Sequence, residues 1–332
     1  TRPGFHPGEP AAVDPEARRN RAIADVFEPG SIFKPLVLLA ALEHGVFPVP
    51  QLPTDLANWP DDPAEPLPGE ATVFCENGSF SVGHGRVIRD VHGYGTLPLR
   101  GVLIKSSNVG MTKVGRALGI ERLLPALEAL GFGQPTGLDL PGEGSGLLPS
   151  LESALEDRPN TYAVPSLSMG YQVGVTPVQM LSAFNAIVNG GYLIRPRIVQ
   201  QATASDGSLV HRTQPDVVGR PFPNEAARQY VIGGLAGVTR RGGTARRASL
   251  EEYGITVGGK TGTARKLVDG AYHEQAKRCS FIGFAPVEAP RYTVLVTIDE
   301  PTVHHEGLPF YGGTVAAPIV RDILLRALTG AE

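Results

Sequence analysis

Three short motifs in the sequence carry residue types that can perform nucleophilic catalysis. In chain order they are Ser31-Ile-Phe-Lys34, Ser106-Ser-Asn108 and Lys260-Thr-Gly-Thr263. A serine hydroxyl attacks a carbonyl well only when a neighbouring base removes its proton, and a lysine amine is such a base only when its pKa is lowered. The motifs therefore predict acyl transfer through a serine nucleophile, a chemistry that needs neither a metal ion nor a cofactor.

The first motif sets the nucleophile beside its base. Ser31 and Lys34 are three residues apart, a spacing at which two side chains share one face of a helix. Pro29-Gly30-Ser31 is a helix start signal and predicts a buried helix from Ser31 to His44, with Ser31 at or near its cap. Burial and the positive end of the helix dipole both lower the pKa of an amine placed there. We therefore predict that Ser31 is the nucleophile and Lys34 the general base.

The second motif has a spacing that suits a tight turn better than one helix face. In such a turn Ser106 and Asn108 both point into a cleft. We predict that Ser106 relays a proton between Lys34 and the leaving amine, and that Asn108 holds the amide of the substrate.

The third motif lies in a predicted strand, residues 255–266. Lys260, Thr261 and Thr263 offer a cation and two hydroxyls, which predicts a receptor for a substrate carboxylate. Gly262 lets a substrate backbone approach the strand, and the backbone N–H groups of Ser31 and Thr263 are predicted to form the oxyanion hole. Lys-Thr-Gly-Thr arises by chance on the order of once in several hundred chains of this length, so the ordered triple is a strong signal.

The composition sets broad limits on the protein. The chain has 332 residues, 42% of them hydrophobic, and a net charge of −3. This is enough apolar material for one large core or two smaller ones, and it gives no reason to expect nucleic acid as a partner. No apolar run reaches the 18 residues of a membrane span. The two cysteines, Cys75 and Cys279, neither require nor exclude a disulfide.

The pattern along the chain predicts the elements that must position the motifs. Residues 1–27 are expected to be an extended lead-in, and residues 47–95 a Pro/Gly-rich insertion in which 72–74 and 80–82 form a hairpin across Glu76-Asn-Gly78. Helices are predicted in 98–130, from Thr176-Pro177 to Gly190, and in 317–328. Residues 280–284 and 292–298 are predicted strands. Together they indicate an α/β domain with an antiparallel sheet.

At these motifs and in the segments around them, the sequence resembles the class B penicillin-binding proteins, the monofunctional peptidoglycan transpeptidases of the division and elongation type. The resemblance spans nearly the whole chain and implies one transpeptidase domain, residues 1–332. The segments that carry it are Arg19-Asn-Arg-Ala-Ile-Ala-Asp25, Glu28-Pro-Gly-Ser-Ile-Phe-Lys-Pro35, Lys105-Ser-Ser-Asn-Val-Gly110, Gly174-Val-Thr-Pro-Val-Gln179 and Lys260-Thr-Gly-Thr-Ala264.

The resemblance implies a β-lactamase/transpeptidase-like fold, an antiparallel sheet flanked by helices with an all-helical subdomain. It also implies a substrate, the D-alanyl-D-alanine end of a peptidoglycan stem peptide, and acylation of Ser31 by that substrate or by β-lactam antibiotics. Such proteins have an N-terminal membrane anchor and a pedestal domain, and they work on the outer side of the bacterial cytoplasmic (inner) membrane with a membrane glycan polymerase. The chain opens on Thr1-Arg-Pro-Gly like the interior of a longer protein, so we expect an excised domain. Division or elongation, and the acceptor amine, stay open.

Other functions were weighed against the same residues. A β-lactamase needs a base for the deacylating water, and Glu156-x-x-x-Asn160 has the pattern of one, although it lies in a charged stretch beside Pro159. A D,D-carboxypeptidase would use the same peptide, and a β-lactam sensor would need a signalling segment that the sequence does not show. His304-His305-Glu306 is a weak metal pattern, for which an exposed loop is the favoured interpretation.

Overall fold

The computed structural model describes residues 14–55, 58–156, 161–268, 270–302 and 309–330. Within these ranges the α-helices are α1 (Arg21–Ala24), α2 (Lys34–Glu43), α3 (Leu99–Lys105), α4 (Asn108–Leu118), α5 (Ile120–Ala129), α6 (Leu151–Glu156), α7 (Ala163–Met169), α8 (Pro177–Val188), α9 (Glu225–Gly237) and α10 (Ala317–Thr329). The strands are β1 (Thr72–Phe74), β2 (Ser79–Gly83), β3 (Arg86–Arg89), β4 (Thr96–Pro98), β5 (Leu193–Ile194), β6 (Gln201–Thr203), β7 (Leu209–Arg212), β8 (Val217–Gly219), β9 (Gly258–Val268), β10 (Ala271–Ala285) and β11 (Tyr292–Asp299).

An antiparallel sheet of order β11-β10-β9 forms the centre of the C-terminal part. Successive side chains of β10 point to opposite faces of the sheet and pack in two different hydrophobic clusters, because side chains alternate along a strand. Phe281 packs in a cluster with Val320 and Leu324 of α10, whereas Ile282 and Phe284 join the larger cluster formed by the helices. The sheet is thus covered by helices on both faces, which confirms the predicted α/β class.

Helix α2 lies at the centre of the larger cluster. Its side chains from Lys34 to Leu42 are all buried, as expected for a helix that is apolar on every face. The predicted helix at 31–44 is therefore confirmed, but its first turn, Gly30–Phe33, is a 3-10 turn. Ser31 lies inside this turn, near its start as predicted, and no side chain caps the turn.

Strong local signals predicted several other helices and strands correctly. Helix α8 begins after Thr176 with a capping box completed by Gln179, and Pro177 occupies its first turn. The helix-rich stretch 98–130 consists of α3, α4 and α5, and the predicted helix at 317–328 is α10. The strands at 280–284 and 292–298 are β10, which is longer than predicted, and β11.

Two predictions about the N-terminal third differ from the structure. The hairpin between 72–74 and 80–82 is wrong, because β1 pairs with β4 while β2 pairs with β3 inside that pair. A nested pairing of this kind depends on contacts between distant residues, which a local turn signal does not report. The lead-in is also less extended than expected, since residues 15–18 form a 3-10 turn and α1 follows.

The Pro-rich segment before β1 packs against α3 and α9. Trp59 is buried beside the ring of Tyr230 on α9. Arg100 donates to the carbonyl oxygens of Pro60 (3.3 Å) and Glu65 (2.6 Å). The buried carboxylate of Glu70 accepts from the backbone N–H of Arg100 in the first turn of α3 (3.1 Å) and from the hydroxyl of Tyr230. The segment therefore holds α3, whose other end carries the Ser106 turn.

Both cysteines are buried and have free thiols; Cys75 lies in the larger cluster. Of the helices that the structure describes, none is long and apolar enough to cross a membrane.

Candidate active site

Ser31 lies in a 3-10 turn at the N-terminal end of α2, where its side chain is partly exposed. The N–H of Gly30 donates to the carbonyl oxygen of Gly170 (3.0 Å) and ties this turn to the end of α7. A Cβ atom on Gly170, whose φ is +81°, would lie 2.2 Å from the carbonyl oxygen of Gly30. Only glycine fits there, so the turn that carries Ser31 is set by close backbone contact.

Strand β9 passes directly against the Ser31 turn. A Cβ atom on Gly262 would lie 3.0 Å from a side-chain carbon of Ile32 and 3.2 Å from the carbonyl oxygen of Pro29. In the described sheet β9 pairs only with β10, so its other edge faces this turn instead of a further strand. The third motif and the first are therefore neighbours in space, although more than two hundred residues separate them.

The amine of Lys34 is fully buried and lies on the Ser106 turn. Its Nζ donates to the carbonyl oxygen of Ser106 (2.7 Å) and to Oδ1 of Asn108 (2.8 Å), and it lies 3.3 Å from Ser106 Oγ. Burial lowers the pKa of Lys34 to about 7, and the carboxylate of Asp90 partly opposes this by raising it. A neutral amine that donates both of its N–H groups in hydrogen bonds still has a lone pair, which can accept the proton of a hydroxyl.

The Ser106 turn joins α3 to α4 in two residues. Ser106 ends α3 with φ +58° and ψ 35°, in the left-handed region, where a residue other than glycine costs about 1 kcal/mol. Ser107 begins α4, and its hydroxyl accepts from the N–H of Gly110 (2.9 Å). Because the chain turns between the two helices, Ser106 and Asn108 both reach the amine of Lys34, in line with the predicted tight turn.

Lys260 has a different environment from the one expected. It was expected to offer a cation to a substrate carboxylate, but its side chain is fully buried and burial, followed by repulsion from Lys34, lowers its pKa well below the usual value. Its Nζ donates to Ser106 Oγ (2.8 Å) and to the carbonyl oxygen of Thr261 (3.1 Å). Lys260 therefore belongs to the hydrogen-bonded network around Ser106 Oγ.

Asp90 is a site residue that the sequence did not single out. Its carboxylate accepts from the hydroxyl of Ser107 (2.6 Å) and from the backbone N–H groups of Asn108 and Val109 (3.0 Å for Val109). A carboxylate at the first N–H groups of α4 is favoured by the helix dipole. It fixes the Ser106 turn and places a negative charge near Lys34. Asp90 follows β3 in a segment without periodicity, so no local pattern pointed to it.

The amide of Asn108 is engaged by the protein on both sides. Its Oδ1 accepts from Lys34, and its Nδ2 donates to the carbonyl oxygen of Arg89 (2.8 Å). One N–H of the side-chain amide stays available to donate to a substrate carbonyl.

The two threonines of β9 are held by loops from other parts of the chain. Thr261 Oγ1 lies 2.9 Å from Thr244 Oγ1. Thr263 Oγ1 accepts from the backbone N–H of Gly312 (3.1 Å). Thr263 accepts this hydrogen bond and keeps its own proton to donate, and Thr261 does the same when Thr244 is the donor of their bond. The pair can then present donors to a carboxylate. Thr244 was not predicted, since only the tertiary structure brings it to β9.

A second missed cluster borders the residues before Ser31. Glu28 accepts from the backbone N–H of Gln172 (2.8 Å) and from the hydroxyl of Tyr272 on β10 (3.0 Å). Burial raises the pKa of Glu28, although both hydrogen bonds lower it. The cluster connects the helical part to the sheet beside the Ser31 turn.

Some of the weaker patterns fall outside the described residues. These are His304-His305-Glu306 and Asn160 of the Glu156-x-x-x-Asn160 pattern.

Comparison with known proteins gives consistent results. The family model of the penicillin-binding protein transpeptidase domain matches residues 2–325. A probable peptidoglycan D,D-transpeptidase PenA of Neisseria meningitidis is 35% identical over 322 residues, which cover 97% of this chain and 48% of that protein. The chain spans about half the length of the first curated relatives that it matches.

Solved structures share the fold. The transpeptidase domain of penicillin-binding protein 3 from Burkholderia pseudomallei has a TM-score of 0.76 at 31% identity, covering 94% of this chain and 82% of that one. Penicillin-binding protein 3 from Mycobacterium tuberculosis, in complex with aztreonam, has a TM-score of 0.74 at 29% identity, covering 94% of this chain and 65% of that one.

Proposed function

The chain belongs to the penicillin-binding protein transpeptidase family, and from that premise we propose that it is a serine D,D-transpeptidase that cross-links peptidoglycan stem peptides through an acyl-enzyme on Ser31. One observation carries the proposal. Two buried lysine amines, those of Lys34 and Lys260, converge on Ser106 Oγ beside the turn that holds Ser31. Buried amines of lowered pKa are a costly arrangement, which is typical of a site that moves protons.

In the acylation step, Ser31 Oγ forms a bond to the carbonyl carbon of the penultimate D-alanine. The neutral amine of Lys34 takes the hydroxyl proton, and a proton passes through Ser106 to the amine of the terminal D-alanine as the C–N bond breaks. The N–H groups of Ser31 and Thr263 donate to the oxyanion, a role supported by the contact of β9 with the Ser31 turn. The hydroxyls of Thr261 and Thr263 hold the terminal carboxylate, and Asn108 donates to the peptide.

The same groups then work in reverse order. An acceptor amine attacks the ester carbonyl, its proton returns through Ser106 and Lys34 to Ser31 Oγ, and the new C–N bond is the cross-link. A β-lactam acylates Ser31 by the first step alone, since its leaving amine stays attached to the drug.

The whole protein is proposed to have an N-terminal membrane anchor and a pedestal domain, with residues 1–332 as its transpeptidase domain on the outer side of the cytoplasmic membrane. A membrane glycan polymerase is its proposed partner. A full-length tagged protein should sediment with membranes, be cleaved by protease added outside the cytoplasm, and cross-link to such a polymerase. Recovery in the soluble cytosol would contradict the placement.

The Ser31→Ala substitution tests the nucleophile. Labelling by a fluorescent penicillin should be abolished, while the thermal unfolding temperature stays close to that of the wild type because the side chain of Ser31 does not cap its helix. Ser208→Ala, in the exposed hairpin of β6 and β7, is the matched control and should label normally. Wild-type labelling of Ser31→Ala would remove Ser31 as the nucleophile.

The lifetime of the adduct separates a transpeptidase from a hydrolase. Intact-mass spectrometry after mixing with a β-lactam should show a 1:1 adduct that persists for many minutes. Rapid repeated turnover of the drug would favour a β-lactamase instead.

A further inference from the structure

Arg86, the first residue of β3, connects two parts of the proposed active site, and the acylation chemistry above does not use it. Its Nη1 donates to the carbonyl oxygens of Thr161 (3.2 Å) and Tyr162 (3.0 Å), and its Nη2 donates to the hydroxyl of Ser166 (2.9 Å). The guanidinium also lies over the ring of Tyr162, with Cζ 5.2 Å from the ring centroid. Arg86 thus binds the N-terminal end of α7 through a planar fork of donors that lysine does not have.

The other end of β3 holds the Ser106 turn. The strand ends at Arg89, whose carbonyl oxygen accepts from the side-chain amide of Asn108 (2.8 Å). Asp90 follows, and its carboxylate accepts from the N–H groups at the start of α4. Because β3 has only four residues, this one short strand connects the fork of Arg86 to the Ser106 turn.

The other end of α7 holds the Ser31 turn. Gly170 ends this helix, and its carbonyl oxygen accepts from the N–H of Gly30 (3.0 Å). The helix has seven residues, and the side chains of all of them are buried. A short, closely packed helix transmits a displacement of one end to the other, so the position of its N-terminal end bears on the Ser31 turn.

Helices α7 and α4 also touch directly. A Cβ atom on Gly115 of α4 would lie 1.7 Å from Ser168 Oγ of α7, so the two helices approach as closely as a glycine allows. This contact fixes the distance between the helices at one point. The fork of Arg86 binds α7 at its N-terminal end, and it therefore fixes the direction of α7 relative to β3 and α4.

On this basis, and resting on the proposed function, we propose that Arg86 is a positioning residue that holds the Ser31 turn and the Ser106 turn at the separation that acylation requires. It acts through two arms, β3 towards the Ser106 turn and α7 towards the Ser31 turn, and it does not itself contact a reacting group.

The separation of the two turns bears on the rate because the base and the nucleophile are held by different turns. The amine of Lys34 is fixed by its hydrogen bonds to Ser106 and Asn108, whereas Ser31 lies in the turn bound to α7. A general base must lie within about 3 Å of the group whose proton it takes, and a misplacement of about 1 Å can cost about a hundredfold in rate.

The charge of Arg86 must be separated from its geometry. Burial raises the pKa of Tyr272, the neighbouring Glu28 raises it further, and the positive charge of Arg86 opposes both. Arg86 is therefore close enough to this cluster to act on it through charge alone, and a lysine at this position keeps the charge without the fork.

The test measures acylation of the full chain by a fluorescent penicillin in a stopped-flow instrument. The dependence on penicillin concentration gives the dissociation constant of the non-covalent complex and the first-order rate constant of acylation, and the amplitude gives the fraction of active molecules. A variant that is only less stable loses amplitude, because its folded molecules still react at the wild-type rate. Loss of a positioning residue lowers the rate constant itself.

Arg86→Ala should lower the rate constant of acylation about thirtyfold and leave the dissociation constant within about twofold of the wild type. Arg86→Lys should lower the rate constant about tenfold, because it keeps the charge but not the fork. Arg116→Ala is the matched control, since Arg116 of α4 donates to the carbonyl oxygen of Val82 on β2 (2.8 Å) and so binds the other strand of the same hairpin. It should keep the wild-type rate constant.

Ser166→Ala removes one of the three hydrogen bonds of the fork and should lower the rate constant about threefold. Added to Arg86→Ala, it should cause no further loss, because the partner of the Ser166 hydroxyl is already absent. Ser166→Ala also decides the question if Arg86→Ala does not fold.

Four results would overturn the positioning role. They are a wild-type rate constant in Arg86→Ala or Ser166→Ala, a wild-type rate constant in Arg86→Lys, which would assign the effect to charge, an equal loss in Arg116→Ala, and losses that multiply in the double variant. Any of these in a chain that penicillin acylates leaves the proposed function standing. A wild type that penicillin does not acylate refutes the proposed function itself.

Discussion

Replacement of Lys34 by arginine should abolish the pH-dependent acylation that the buried amine supports. In the wild type, the rate constant for acylation by a β-lactam should rise with pH through a midpoint near 7, because only the neutral form of Lys34 accepts the proton of Ser31. Burial lowers the pKa of this amine to about 7. A guanidinium stays protonated at every pH of interest, so Lys34→Arg has no base at this position.

The magnitude follows from that pKa. With a value of about 7, about one-tenth of the amines are neutral at pH 6 and about nine-tenths at pH 8, so the rate should rise about tenfold across this interval. A solvated lysine with the usual value of 10.5 has only about one neutral amine in 3,000 at pH 7. A positioned general base contributes about 10²–10⁴-fold to a rate, so Lys34→Arg, which has no base here, should lose about three orders of magnitude in the rate at pH 7.

Stopped-flow or gel-based labelling with a fluorescent penicillin, between pH 5.5 and 9, measures this profile. Lys113→Arg is the control, because Lys113 forms an ion pair with Glu76 outside the site (2.6 Å); it should keep the wild-type profile. Circular dichroism of Lys34→Arg shows whether the fold survives. A rate independent of pH, or a midpoint above 9, would refute Lys34 as the base.

Three further predictions follow from the same contacts. Lys34 has a pKa lowered to about 7, so between pH 7 and 9 the folded state binds fewer protons than the unfolded state. The free energy of unfolding of the wild type should therefore rise by about 2 kcal/mol over this interval. Lys34→Met should remove this rise. Urea titrations at both pH values measure the difference, and an equal rise in the variant contradicts it. Asp90→Asn removes a carboxylate that raises the pKa of Lys34. The midpoint of the pH dependence of the acylation rate should therefore move down by about one pH unit. An upward shift of this midpoint, or no shift, would count against the placement of the Asp90 charge near Lys34. The carboxylate of Glu70 accepts hydrogen bonds from Leu67, Arg100 and Tyr230, and an amide has only one oxygen to accept them. Glu70→Gln should therefore lower the free energy of unfolding by about 1–3 kcal/mol. Unchanged urea unfolding would show that this carboxylate does not hold α3.

Burial is the main cause of the lowered pKa of both lysines, and repulsion from Lys34 lowers the pKa of Lys260 further. Lys34 and Lys260 both contact Ser106 Oγ, at 3.3 Å and 2.8 Å, so their amines lie at most about 6.1 Å apart (3.3 + 2.8). Two ammonium groups at this distance repel by about 3 kcal/mol at an effective dielectric constant of about 20. Repulsion of this size opposes the simultaneous protonation of both amines, which favours a neutral amine that can act as a base.

The sequence by itself was enough to propose the chemistry and to predict the elements that carry it. Ser-x-x-Lys, Ser-x-Asn and Lys-Thr-Gly-Thr point to a nucleophile, its base and a receptor strand, because each motif is local and depends on residue type and spacing. Helix α8 and strands β10 and β11 could also be predicted. The capping box of α8 and the apolar pattern of the two strands each depend only on residues close together in the sequence.

Only the tertiary structure decided which groups meet. The amine of Lys260 contacts a hydroxyl 154 residues away, and it does so as a buried donor instead of the expected cation for a substrate carboxylate. The nested pairing of β1 with β4, the carboxylate of Asp90 at α4 and the contact of Thr244 with Thr261 likewise join distant segments. Their positions depend on how the helices pack on the sheet, and burial, which sets the pKa values, exists only once that packing has formed.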